Sequence, residues 1–271
     1  MSTLGTDQFA KKKFERLALS DEWKPVMGNL PSEFMIAVYG ESGEGKTEFC
    51  LQLAKELTRH GSVKWMEYES GHGADIQDGI VRNDFKGLPI NWDDPWEEDK
   101  GQQRAIAAFV PPPDMPMQKN AMANRVFISL YIEMSKPKSA KYWVINSVDA
   151  TGLNKEQVMW LFVKFKKKKG IIFICHSQGT TPILSVSKAI EFYGQVGIHV
   201  KHYIARPLKS RFQGFTPRVV FEQRARELDP LFFIEYDKKE QEQKKVEKKK
   251  RKPKAQPSQD VQLVGDQIEA I

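Results

Sequence analysis

The sequence predicts an α/β fold, a mainly parallel central sheet flanked by helices, with antiparallel strands toward the C-terminal edge. Short apolar runs bounded by turns and glycines recur along the chain, as in "FMIAVYG" (34–40), "VKWMEYE" (63–69), "KYWVIN" (141–146) and "IIFIC" (171–175). Runs of this kind suit strands buried on both faces of a parallel sheet. The first leads through a glycine-rich loop into a helical pattern, and the second follows at once. Strand, loop, helix and strand in that order make a βαβ unit with a right-handed crossover.

In chain order, residues 1–33 form a polar N-terminal extension ending at the turn signal "GNLPSE". In "KTEFCLQLAKELTRHG", Phe49, Cys50, Leu53, Ala54 and Leu57 share one helical face, and Gly61 closes the helix. Residues 70–140 carry "GHGAD", the acidic "WDDPWEEDKGQQ" and the linker-like "PPPDMP" before a helix in "AMANRVFISLYIEMSK". Asn154 with Gln157 fits a capping box, opening a helix with Val158, Leu161, Phe162 and Phe165 inward. Lys166–Lys169 complement that helix's dipole at its C-terminus or contact DNA. "VGIHVKHYI" (196–204) alternates, which predicts a strand with one open face, and "RVVFE" and "LFFIEY" supply two more strands. The main domain thus spans 34–236, and 237–271 is a basic, mostly disordered tail.

Composition narrows the function classes. Of 271 residues 40% are hydrophobic and 11% aromatic, enough for a sizeable core. Without an apolar run near 18 residues, no membrane span is expected, and the N-terminus is too polar for a secretory signal. Cys50 and Cys175, each inside an apolar run, are expected as buried thiols in a reducing cytoplasm. The net charge of +7 is localised: residues 238–254 hold ten Lys/Arg and three Glu, and the rest is formally neutral. The tail lysines bind nucleic acid or keep the protein soluble.

Gly40, Glu41, Ser42, Gly43, Glu44, Gly45, Lys46 and Thr47 match G-x-x-x-x-G-K-[ST] in full, with Glu48 next on the helix. Glycines let successive N–H groups turn toward phosphate oxygens, and the helix N-terminus adds partial positive charge. ATP with Mg²⁺ is therefore expected, with Lys46 on the β- and γ-phosphates and Thr47 on the metal.

The remaining motifs resemble the RecA-like class of P-loop ATPases (RecA, RadA, DnaB). "WMEYES" resembles its second motif, which implies that Glu69, with Glu67 as alternative, polarises the attacking water. "WVINSV" resembles its apolar-Asp-Ser motif with Asn146 in the aspartate's place. That implies water-mediated metal contact without the charge, and slower turnover, with Asp149 three residues on as a possible substitute. "FICHSQG" resembles the γ-phosphate sensor, implying His176 or Gln178 in that role, with "GTTPILSVSK" and Lys188 as a nucleic-acid loop. "PLKSRFQG" resembles the run whose Lys and Arg reach a neighbour's γ-phosphate, which implies that role for Lys209 and Arg211.

The resemblance covers roughly residues 30–236. It implies an oligomeric ATPase, ring or filament, acting on single-stranded DNA in recombination, annealing or replication. The setting would be a bacterial or phage-infected host cytoplasm. A DnaB-like replicative helicase is one alternative; a KaiC-like switch that binds protein partners is another.

Overall fold

Residues Met35 to Tyr39, none more than 2% exposed, form the middle strand of the sheet and have helices over both faces. The computed structural model describes residues 3–97 and 99–250. The strands are β1 (Met35–Gly40), β2 (Val63–Glu67), β3 (Ile90–Asp93), β4 (Tyr142–Asn146), β5 (Gly170–Gln178), β6 (Thr181–Pro182), β7 (Val196–Lys201), β8 (Ile204–Ser210) and β9 (Arg218–Val219). The helices are α1 (Thr6–Ala10), α2 (Lys24–Met27), α3 (Lys46–Leu57), α4 (Ala74–Arg82), α5 (Lys100–Ala107), α6 (Ala121–Ser135), α7 (Lys155–Phe165), α8 (Ser185–Tyr193), α9 (Glu222–Leu228) and α10 (Pro230–Lys250). A 3₁₀ turn covers Val148–Thr151.

The sheet runs β3-β2-β4-β5-β1-β7-β8-β9, with β6 paired to the end of β5. Pairing is parallel from β3 through to β7 and antiparallel for β7–β8–β9. This is the α/β, mainly parallel arrangement expected of a RecA-like P-loop fold, antiparallel edge included. Alternate residues of β1 explain its unbroken apolar run. Ile36 and Val38 pack with Phe49, Leu53 and Leu57 of α3, while Met35, Ala37 and Tyr39 join Phe127, Leu161 and Ile190 of α6, α7 and α8. The capping box expected at Asn154 and Gln157 is formed at the start of α7.

Several local expectations are corrected. The two strands of the βαβ unit are not side by side; β2 pairs with β3 and β4, so β4 and β5 stand between it and β1. The predicted strand 196–204 is two strands joined at His202–Tyr203, whose φ values of 53 and 56° give both turn residues the left-handed backbone of a type I′ hairpin. β7 has no open face: Val196 to Val200 are all buried. The run 179–188 is a hairpin and then the start of α8. Gly179 takes φ 56° as the first residue of a two-residue turn between Gln178 and Thr181.

The chain divides into two compact units, Met1–Leu228 and Asp229–Ile271. In the second, "LFFIEY" is not a strand but the opening of α10. Asp229 accepts from the Phe232 N–H at 3.2 Å, and Pro230 takes the first helical position. Phe232 and Phe233 each pack on Tyr236, at 5.5 and 5.6 Å between ring centroids. Residues 237–250 of the expected disordered tail continue this helix, and 251–271 lie outside the described residues. No helix among the described residues is long and apolar enough to cross a membrane.

The segment preceding β1 contributes to the core. Trp23, Val26, Met27 and Leu30 are buried with α3. The Trp23 ring lies 5.5 Å from Phe49, and the Arg218 guanidinium stacks 4.2 Å over it. Asn29 N–H bonds the Phe212 carbonyl at 2.9 Å. Trp23→Ala is expected to cost about 3–5 kcal/mol of unfolding free energy, the usual range for a buried large aromatic. Urea denaturation checks this; a loss below about 1 kcal/mol would mean that the segment merely rests on the surface.

Candidate nucleotide-binding site

The P-loop leaves the carboxyl end of β1 and opens α3. Gly43 and Gly45 take φ values of 78 and 95°, which only glycine adopts without strain. A side chain on Gly45 would also come within 2.7 Å of the Tyr203 ring. Lys46 is 6% exposed, and its Nζ donates to the Glu41 carbonyl at 2.7 Å. Burial lowers its pKa, while Glu69 and Asp149 pull the other way. The loop is braced by the β7–β8 turn: the Glu44 carboxylate accepts from the His202 N–H, and its carbonyl accepts from the Tyr203 N–H. These bonds offset the cost of two bulky residues at positive φ. Thr47 is half-buried at the start of α3. Ser42 is exposed. Glu48 does not face the loop's cradle; it accepts from Arg82 at 2.6 Å and Asn83 at 2.8 Å, tying α3 to α4 and the turn after it.

The two glutamates of the β2 end separate cleanly. Glu67, 1% exposed, is bound on all sides: its carboxylate accepts from Trp65 Nε1 at 2.9 Å, Asn146 Nδ2 at 2.7 Å, and the backbone N–H of Glu69 and Ser70. Desolvation raises its pKa, against those hydrogen bonds. Glu69 lies beyond the strand with its side chain 44% exposed, 3.3 Å from His176 Nε2. The hydrogen bond from His176 lowers its pKa, with the charge of Lys46 acting in the same direction, so Glu69 is ionised at neutral pH. Glu69, Lys46 and His176 thus meet at the carboxyl edge of the sheet, although β2 pairs with neither β1 nor β5.

Asn146 has a partner that the sequence did not show. Its Nδ2 is spent on Glu67, while its Oδ1 is buried with no hydrogen bond. An orphaned acceptor of this kind marks a place for a water or a ligand-borne donor. Asp149 is not available to replace a metal carboxylate. It accepts from the His176 N–H at 2.6 Å and the Ser187 hydroxyl at 2.5 Å, linking β5 to α8.

The other predicted residues lie apart. Gln178 is exposed at the tip of the β5–β6 hairpin, and Lys188 is exposed on α8. Ser210 pairs with Val196, and Val196 with Ile36, so Lys209 and Arg211 lie level with the start of β1. That is about 13 Å along the strand from Gly40. They therefore cannot serve their own P-loop. Lys209 Nζ donates to the Glu191 and Phe192 carbonyls at the end of α8, whereas the exposed Arg211 side chain has no hydrogen-bond partner among the described residues. Of the lysines ending α7, Lys169 is buried and donates to Ser139 and to the Ala140 carbonyl, a structural role.

Beside the β2 end a cavity of about 280 Å³ is lined by Tyr68, Trp96, Met122 and Val126 among others. His72, Asp94 and Glu97 gather near one another on the adjoining loops. No motif pointed to either, since His72, Asp94, Trp96 and Glu97 lie in loops without periodicity, while Tyr68, Met122 and Val126 come from the β2 end and α6.

Asn146→Asp would replace the donor to Glu67 with a second buried carboxylate. It is expected to lower stability by about 1–3 kcal/mol at pH 7. Burial and repulsion hold both folded-state pKa values above their unfolded values, so the penalty is full above those pKa values. It fades as pH falls through them. Urea denaturation at pH 7 and pH 5 checks this; a deficit equal at both would show that the two groups do not interact.

No family model matches the chain, and no curated protein matches it. Solved structures similar to it include the flagellar accessory protein FlaH from Methanocaldococcus jannaschii, with 16% identity and a TM-score of 0.48. That alignment covers 76% of this chain and 92% of FlaH. A likeness at this level does not carry over partner or substrate.

Proposed function

We propose that the protein is a magnesium-dependent, RecA-like ATPase that acts on single-stranded DNA as a homo-oligomer. The observation that carries the ATPase reading is the meeting of Lys46, Glu69 and His176 at the mouth of a complete P-loop. Backbone N–H groups of the loop and the first turn of α3 cradle the phosphates, and Lys46 leaves the Glu41 carbonyl to donate to them. Thr47 and the orphaned Asn146 Oδ1 are the groups that would hold magnesium, Asn146 through a water. Bound there, the ion would neutralise charge on the phosphate oxygens. Glu69, kept ionised and held by His176, orients the attacking water and takes up its proton. Arg211, whose side chain has no hydrogen-bond partner among the described residues, would stabilise a neighbouring protomer's transferring phosphoryl group.

The DNA reading is supported by the exposed β5–β6 hairpin that follows His176, by Lys188, exposed on α8, and by the lysine-rich run 238–254. Its test is steady-state ATP hydrolysis with and without a single-stranded oligonucleotide. Lys46→Ala is expected to abolish turnover. Glu69→Gln should keep ATP binding and lose about 10²–10⁴-fold in turnover. Stimulation by the oligonucleotide that weakens with salt supports the DNA reading. Turnover without stimulation removes it, and ATP binding without turnover leaves a nucleotide switch.

A further inference from the structure

Two variable positions of the P-loop are glutamates, and each carboxylate holds a backbone N–H of a hairpin turn. Glu44 holds His202 in the β7–β8 turn, and Glu41 holds Gly179 in the β5–β6 turn at 2.9 Å. The two differ in what else they touch. The Glu44 carbonyl accepts from Tyr203, so both its contacts go to one turn. The Glu41 carbonyl instead accepts from Lys46 Nζ, the cation that a phosphate would claim. The Gly179 carbonyl is held in turn by His199 Nε2 at 3.0 Å and by the Ser177 hydroxyl at 2.8 Å.

We propose that Glu41 is a positioning residue that couples phosphate occupancy of the P-loop to the β5–β6 hairpin. The proposal rests on the nucleotide-site reading above and adds its regulation. A phosphate oxygen draws the Lys46 ammonium away from the Glu41 carbonyl, because a full negative charge attracts the cation more strongly than a neutral carbonyl dipole does. The Glu41 peptide then loses its inward contact. At the same moment several negative charges stand close to its carboxylate, which is repelled outward. Gly179 is gripped by that carboxylate on one side and by β7 on the other. The hairpin tip either follows Glu41 or parts from it, and in both cases Gln178 and Thr180 face different surroundings with and without nucleotide. Glycine at 179 permits this, since its φ of 56° is a turn conformation with open space around it.

Hydrogen exchange of the intact chain over residues 176–184, with and without magnesium and a non-hydrolysable ATP analogue, tests the coupling; calorimetry of the same samples measures analogue binding. Without nucleotide, Glu41→Ala is expected to speed exchange of the Gly179 amide by roughly tenfold or more, the effect of losing a charged acceptor. In the wild type the analogue changes that exchange by a similar factor. Glu41→Gln keeps an oxygen acceptor but no charge, so it should retain protection without nucleotide and show a much smaller response to the analogue. An equal response in wild type and Glu41→Gln, with analogue bound to both, overturns the role of the carboxylate. Analogue bound to the wild type with an unchanged hairpin overturns the coupling and leaves the nucleotide site standing. A wild type that binds no analogue removes both.

Discussion

The rest of the structure depends on the burial of β1 between two parallel neighbours. A strand with apolar residues on both faces can be satisfied only at the centre of a sheet, with helices above and below. Once it is there, its backbone groups are taken by β5 and β7, and its carboxyl end opens into the crevice where those strands also end. The P-loop, His176 and the His202–Tyr203 turn are therefore brought together by sheet order rather than by sequence proximity. Packing at Gly40 shows how tight this is: an added Cβ would lie 2.3 Å from the Val200 carbonyl.

Electrostatics sharpen the division of labour at the other strand ends. Two glutamates two residues apart in sequence occupy opposite environments. Glu67 is desolvated and consumed by donors, among them Asn146; Glu69 is half-exposed and kept ionised by His176. Asparagine at 146 is thus matched to its neighbour. An aspartate there would confront a buried carboxylate, so the residue that looks like a loss in a linear motif is locally the consistent choice.

What was legible in the sequence follows from how local each signal is. The P-loop, the four parallel strands and the Asn154 capping box are encoded by adjacent residues, and each is where the sequence placed it. Strand order is not local, so the distance between β2 and β1 was hidden. "LFFIEY" is a short apolar run that suits strand or helix, and Asp229 and Pro230 ahead of it were the signal that decides for helix. β8 contains Arg206, Pro207 and Lys209, which mask a strand held by pairing to β7. The side-chain roles of Glu41 and Glu44 were out of reach because they depend on turns more than a hundred residues away.

The contacts of the segment before β1 bear on how the chain is made. Arg218, which stacks on Trp23, also reaches Glu22, 196 residues earlier in the sequence. At roughly 5–20 residues per second, a ribosome needs on the order of 10–40 seconds to supply the second partner after the first. Trp23 must spend that interval without its lid, and Asn29 without the Phe212 carbonyl. The βαβ unit can collapse while synthesis continues, but the strap over α3 is fastened only after Phe212 and Arg218 have been made. Completion of the first unit therefore waits on Arg218, and until then Trp23 and the apolar residues beside it are the ones a chaperone would meet.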